Sequence, residues 1–92
     1  FKSFAQSETI NKLSNSNIIY LYQMNGKVRT LSQVYFPSYK HISNSLQDLP
    51  KPSYVMITNI KLANLVKDQN LHKEFSLKKI GYYNDWNMLR LD

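Results

Sequence analysis

The sequence predicts an α/β fold: a small mixed sheet with central parallel strands, flanking helices and a C-terminal antiparallel hairpin. Three observations lead there. Two short runs, "IIYLYQM" from Ile18 to Met24 and "YVMI" from Tyr54 to Ile57, are apolar on both parities, as strands covered on both faces must be. The segments around them carry apolar residues at helical spacing. Two last strand-like runs, Phe75 to Tyr82 and Trp86 to Leu91, are joined by the short turn "YND" in the pattern of a hairpin.

Taken in order, Phe1 to Leu13 has apolar residues at positions 1, 4, 5, 10 and 13 with no breaker, which predicts one helix that continues upstream. "SNSN", Ser14 to Asn17, is expected to end it, because short polar side chains compete for backbone hydrogen bonds. Ile18 to Met24 follows as a central strand. "NGK", Asn25 to Lys27, suits a hairpin turn. Beyond it a second strand competes with a short helix; the spacing of Leu31, Val34 and Tyr35 behind a Thr30 cap, with Pro37 as the stop, favours the helix. Tyr39 to Ile42 is a short strand, and "SNSLQDLP" a helical turn closed by Pro50 and Pro52. Tyr54 to Ile57 then feeds a helix capped by Thr58 or Asn59. Leu62, Ala63, Leu65 and Val66 form its apolar stripe, and Asn70 is its stop.

Composition bounds the rest. Ninety-two residues with 42% hydrophobic content support one core and one domain. The start at Phe1 and the stop just after a strand-like run lead to the expectation that the chain is a single soluble domain cut from something larger. The absence of Cys excludes disulfides, thiolate nucleophiles and Cys-based metal sites. The longest apolar run, Ile18 to Tyr22, is strand-sized and far short of the ~20 residues of a membrane span. Ten of the twelve basic residues are Lys, spread from Lys2 to Lys79, and the net charge is +6. An even spread favours solvated lysines over attraction to anionic headgroups, and both over a nucleic-acid face, so no nucleic-acid partner is expected.

Few residues invite chemistry. His41 and His72 lack acidic or histidine neighbours at metal-binding spacing. Asp68 precedes His72 by four residues, but the expected helix stop at Asn70 falls between them. Asp48 and Asp85 sit in turns, where turn chemistry is reason enough for an acid. Two glycines, Gly26 and Gly81, are too few for a phosphate-cradling loop, and no serine stands in a nucleophile elbow. No catalytic residue, metal ligand or cofactor is expected. The aromatic group Tyr82, Tyr83 and Trp86, with Lys78 and Lys79 beside it, is the candidate for contact with a sugar, a base or a bilayer interface. Ordinary sheet packing is the competing account. Tyr35, Phe36 and Tyr39 around Pro37 form a second aromatic group.

The succession "IIYLYQM", "VYFPSY", "LQDLPKPSYVMITN", "LANLVKDQN" and "FSLKKIGYYNDWNMLRL" resembles the C-terminal soluble region of bacterial polytopic membrane glycosyltransferases. These are the group of the dolichyl-phosphate-mannose–protein mannosyltransferases and the lipid A aminoarabinose transferases. The positions that carry the resemblance are Tyr20, Val34 to Phe36, Leu49, Tyr54 to Ile57, Trp86, Leu89 and Leu91, and it covers the chain from Asn17 onward. It implies an accessory domain on the extracytoplasmic, periplasmic face of the inner membrane, attached to a transmembrane portion of the same chain. That portion carries the acidic residues that use a polyprenyl-phosphate sugar donor. Lipid headgroups or the lipid-linked sugar are the implied partners. A small ligand- or peptide-binding domain of an envelope protein, with "YYNDW" as its contact surface, is the rival expectation; a basic nucleic-acid-binding domain is the third.

Overall fold

In the computed structural model, which describes residues 2–43, 46–67, 77–83 and 85–92, the elements follow the predicted succession with altered ends. Two helices, α1 (Lys2–Ala5) and α2 (Glu8–Ser16), precede strand β1 (Ile19–Tyr22). Helix α3 (Gly26–Tyr35) leads to β2 (Tyr39–Ile42), and a one-turn 3-10 helix at Leu46–Asp48 leads to β3 (Ser53–Thr58). Helix α4 (Asn59–Lys67) follows, then the strands β4 (Leu77–Tyr83) and β5 (Trp86–Leu91).

The five strands form one mixed sheet in the order β2-β1-β3-β5-β4. β1 pairs in parallel with both β2 and β3, Leu21 standing between His41 and Met56. β5 runs antiparallel to β3 and to β4, and closes the hairpin. Consecutive connections move in opposite directions along this sheet: β1 to β2 goes one way, β2 to β3 goes back past β1. Because parallel crossovers keep one hand, such a reversal puts successive connections on opposite faces. Two apolar clusters follow. On one face α1, α2 and α3 bring Phe4, Ala5, Ile10 and Val28 onto Ile19, Leu21, Met56 and Met88. On the other, Leu46 and Leu65 cover Tyr20, Tyr22, Val55, Ile57, Leu89 and Leu91. The strands apolar on both parities thus lie where two layers need them, and all four residues of β1 are buried.

The predicted first helix is two helices, broken after Ala5. Ser7 adopts an extended backbone and its hydroxyl accepts from the Ile10 amide at 3.4 Å, starting α2 afresh. "SNSN" does not end the helix at Leu13. Ser14 Oγ donates to the Asn11 carbonyl at 3.1 Å and Asn15 Nδ2 to Asn11 Oδ1 at 2.9 Å, so these side chains bond back along the helix instead of opening it. The helix runs to Ser16, and Asn17 closes it by donating to the Leu13 carbonyl at 3.1 Å.

"NGK" is neither a hairpin turn nor a spacer. Asn25 Oδ1 accepts from the Val28 amide at 3.0 Å, so Asn25, not Thr30, caps α3. Thr30 lies inside the helix and its hydroxyl donates to the Gly26 carbonyl at 2.9 Å. The expected face holds only in part: Val28 and Ser32 are buried, Leu31 is half-buried and Tyr35 packs against the core, while Val34 is 73% exposed. Phe36 ends the helix ahead of Pro37, as expected. On α4 only Leu65 of the expected stripe is buried; Leu62 is half-buried, and Ala63 and Val66 face solvent. The expected stop at Asn70 and the first residues of the Phe75 to Tyr82 run lie outside the described residues.

The two competing caps of α3 make a direct test. Asn25→Ala should cost about 1 kcal/mol of stability in urea denaturation, whereas Thr30→Ala, an exposed interior position, should change it by less than about 0.5 kcal/mol.

Candidate functional site

The hairpin positions singled out by sequence do not form one surface. Side chains alternate along a strand and directly paired residues share a face. Lys78 pairs with Arg90, and Lys79 with Leu89, so the two lysines lie on opposite faces. A register shift between Lys79 and Gly81 then keeps Tyr82, opposite Asn87, on the Lys79 side. The Lys79 ammonium stands 5.3 Å from the Tyr82 ring centroid, a solvent-exposed cation–π pair on a tyrosine 73% exposed. Trp86, paired with Tyr83, belongs to the other face, where it is half-buried against the cluster of Leu21, Met56 and Met88. Lys78 is exposed. Of the five expected contact residues, Lys79 and Tyr82 form a pair on one face and Lys78 and Trp86 belong to the other, while the side chain of Tyr83 lies outside the described residues.

Gly81 shows why the hairpin can lie so close to α2. A Cβ built on it would approach Ile10 Cδ1 to 3.0 Å, so a side chain here would require the end of Ile10 to give way by a few tenths of an ångström.

Of the turn acids, Asp85 has a role that its local sequence hides. The Asn59 amide at the start of α4 donates to Asp85 Oδ1 at 3.1 Å, and also to the Asp85 carbonyl at 3.1 Å. The hairpin turn thus satisfies the first backbone amide of a helix that begins 26 residues earlier. This corrects the expected cap. Thr58 Oγ1 is buried with no hydrogen-bond partner, and Asn59 Oδ1 accepts instead from Asn87 Nδ2 at 2.7 Å. Asn87, itself buried, also donates to the Ile57 carbonyl at 3.3 Å, tying β5 to the end of β3. Asp48 is exposed in the 3-10 turn. His41 lies on the edge strand β2, half-buried, its Nε2 without a partner; His72 and Asp68 lie outside the described residues. Among the described residues no three of His, Asp and Glu gather into a metal-holding group.

A polar crevice that sequence reasoning missed opens where β1 ends. Tyr22 and Gln23 form one wall, and Lys61, Asn64 and Leu65 of α4 the other, enclosing about 270 Å³. Gln23 holds a left-handed backbone, φ 51°, unusual for a residue with a side chain. Several bonds keep it there. Its amide donates to the Ile42 carbonyl at 2.8 Å, and its Nε2 to the Ser43 carbonyl at 2.8 Å and to the Tyr22 hydroxyl at 3.3 Å. Its own carbonyl accepts from Lys61 Nζ. Burial pushes the Tyr22 phenol up from its usual pKa, so it stays protonated. The available signal was positional: Gln23 ends the first parallel strand, just before a helix cap.

No known protein family, curated protein or solved structure matches the chain.

The split hairpin predicts unequal responses. Trp86→Ala should destabilise the protein by at least about 2 kcal/mol, while Tyr82→Ala should stay within about 0.5 kcal/mol. Equal losses in thermal or urea unfolding would restore a single aromatic surface.

Proposed function

We propose that this α/β unit is an accessory, non-catalytic domain of a bacterial membrane glycosyltransferase that uses a polyprenyl-phosphate sugar donor. It works on the extracytoplasmic face and positions or covers the acceptor. The observation that carries the reading is the place of the resembling residues in the fold. Of the resembling positions, Tyr20, Phe36, Val55 to Ile57, Leu89 and Leu91 are buried, Tyr35, Leu49, Tyr54 and Trp86 pack against the two cores, and Val34 is exposed. A resemblance made of such positions speaks for a shared scaffold, with the sugar chemistry carried elsewhere in the protein. The succession of strand, helix with a terminal aromatic segment, strand, helix and closing hairpin supports the same scaffold. No described helix is long and apolar enough to cross a membrane, so in this reading the anchoring spans lie outside the described residues.

The chain has no Cys, which makes single-cysteine labelling clean within it. In cells producing the full-length protein, Cys at the exposed positions Lys40 and Lys67 should react with a membrane-impermeant maleimide once the outer envelope is permeabilised. Reaction only after lysis of the inner membrane would overturn the proposal.

A further inference from the structure

The crevice between β1 and α4 sits at a distinctive point of the topology. β1 and β3 are adjacent parallel strands, yet the helices that follow them cover opposite faces: α3 packs with Leu21 and Met56, α4 with Tyr22 and Ile57. In open α/β sheets ligands bind beyond the carboxyl ends of the strands at such a reversal, because the two connections diverge there and leave the strand ends uncovered. Here the divergence leaves Tyr22, Gln23, Lys61, Asn64 and Leu65 around the opening.

The donors at this opening outnumber the acceptors. Lys61 carries three N–H groups and gives one to the Gln23 carbonyl, so two remain. The Tyr22 hydroxyl accepts from Gln23 Nε2, which leaves its own proton to donate outward. The Asn64 amide adds two further N–H groups, and none of the lining residues is a carboxylate. The wall beneath is fixed by the bonds that pin Gln23 to Ile42 and Ser43. A single cation with neutral donors around it suits a small, multiply accepting anion better than a neutral sugar or another cation.

We infer that the crevice formed by Tyr22, Gln23, Lys61 and Asn64 binds a phosphate-type oxyanion, with the Lys61 ammonium as its counter-charge. The inference is independent of the membrane reading, since free phosphate compounds and lipid phosphate headgroups present the same oxygens.

The test is a nitrogen-15 NMR titration of the 92-residue chain with inorganic phosphate, at fixed pH and with chloride matching the ionic strength. Saturable shifts should centre on the amides of Gln23, Lys61 and Asn64. Lys61→Gln should weaken the apparent affinity by about tenfold or more, as loss of a charge-assisted contact does. Lys67→Gln, an exposed cation on the same helix, should leave it unchanged. Shifts reproduced by chloride alone, or an affinity indifferent to Lys61→Gln, would overturn the inference. Vesicles containing phosphatidylglycerol separate the sources. Broadening of the same amides, relieved by excess phosphate, identifies a headgroup; phosphate shifts without vesicle binding identify a free phosphate compound. Either source can hold or fail whatever the labelling of Lys40 and Lys67 shows.

Discussion

Everything else in the structure depends on covering β1 and β3 on both faces. These parallel neighbours place Ile19, Leu21 and Met56 towards one side and Tyr20, Tyr22, Val55 and Ile57 towards the other, and all seven are buried. A strand pair of this kind cannot stand at a solvated face, because water would meet a row of large apolar side chains whichever way it turned. At roughly 1.5–3 kcal/mol for each fully buried large side chain, this pair supplies much of what a domain of this length has to offset chain entropy. Both helical layers exist to complete that burial. The reversal of direction at β1 is what distributes them, α1 to α3 on one side and α4 with the 3-10 turn on the other.

The same reversal produces the polar opening beside Gln23. Where the connections diverge, the chain leaves β1 through Gln23 in a left-handed conformation, and β3 passes straight into α4. The strain at Gln23 persists because its amide, side chain and carbonyl are all engaged. Structure and site are coupled through a few groups at the sheet's carboxyl edge. Asp85 holds the first amide of α4 there, and Asn87 joins β5 to Ile57 and Asn59. The hairpin thus has a positioning duty towards α4, while its exposed tyrosine and lysine form a local pair.

Much of the architecture was legible because it follows from period and breaker. Strands buried on both faces announce themselves by lacking alternation, as Ile19 to Tyr22 and Tyr54 to Ile57 do, and Pro37 marks the end of α3. Boundaries were less legible wherever a polar side chain had two uses. Ser14 and Asn15 could break a helix or bond back into it, and Asn25 could turn a hairpin or cap a helix; tertiary packing of Ile10 and Val28 decides both. The site was the least legible part. Tyr82, Trp86, Lys78 and Lys79 are near neighbours in sequence, but pleat and register shift divide them between faces. Tyr22, Gln23, Lys61 and Asn64 are brought together only by the fold, and Asp85 meets Asn59 across 26 residues, a distance no local pattern reports.

The central claim, that the doubly covered β1 and β3 pair holds the molecule together, is tested most directly by native-state amide hydrogen exchange. The account predicts that the amides of Tyr20 to Tyr22 and Val55 to Ile57 exchange only by global unfolding, with protection above that of the outer strand β4. Faster exchange in β1 than in the β4–β5 hairpin would contradict it and move the stabilising centre to the antiparallel half of the sheet.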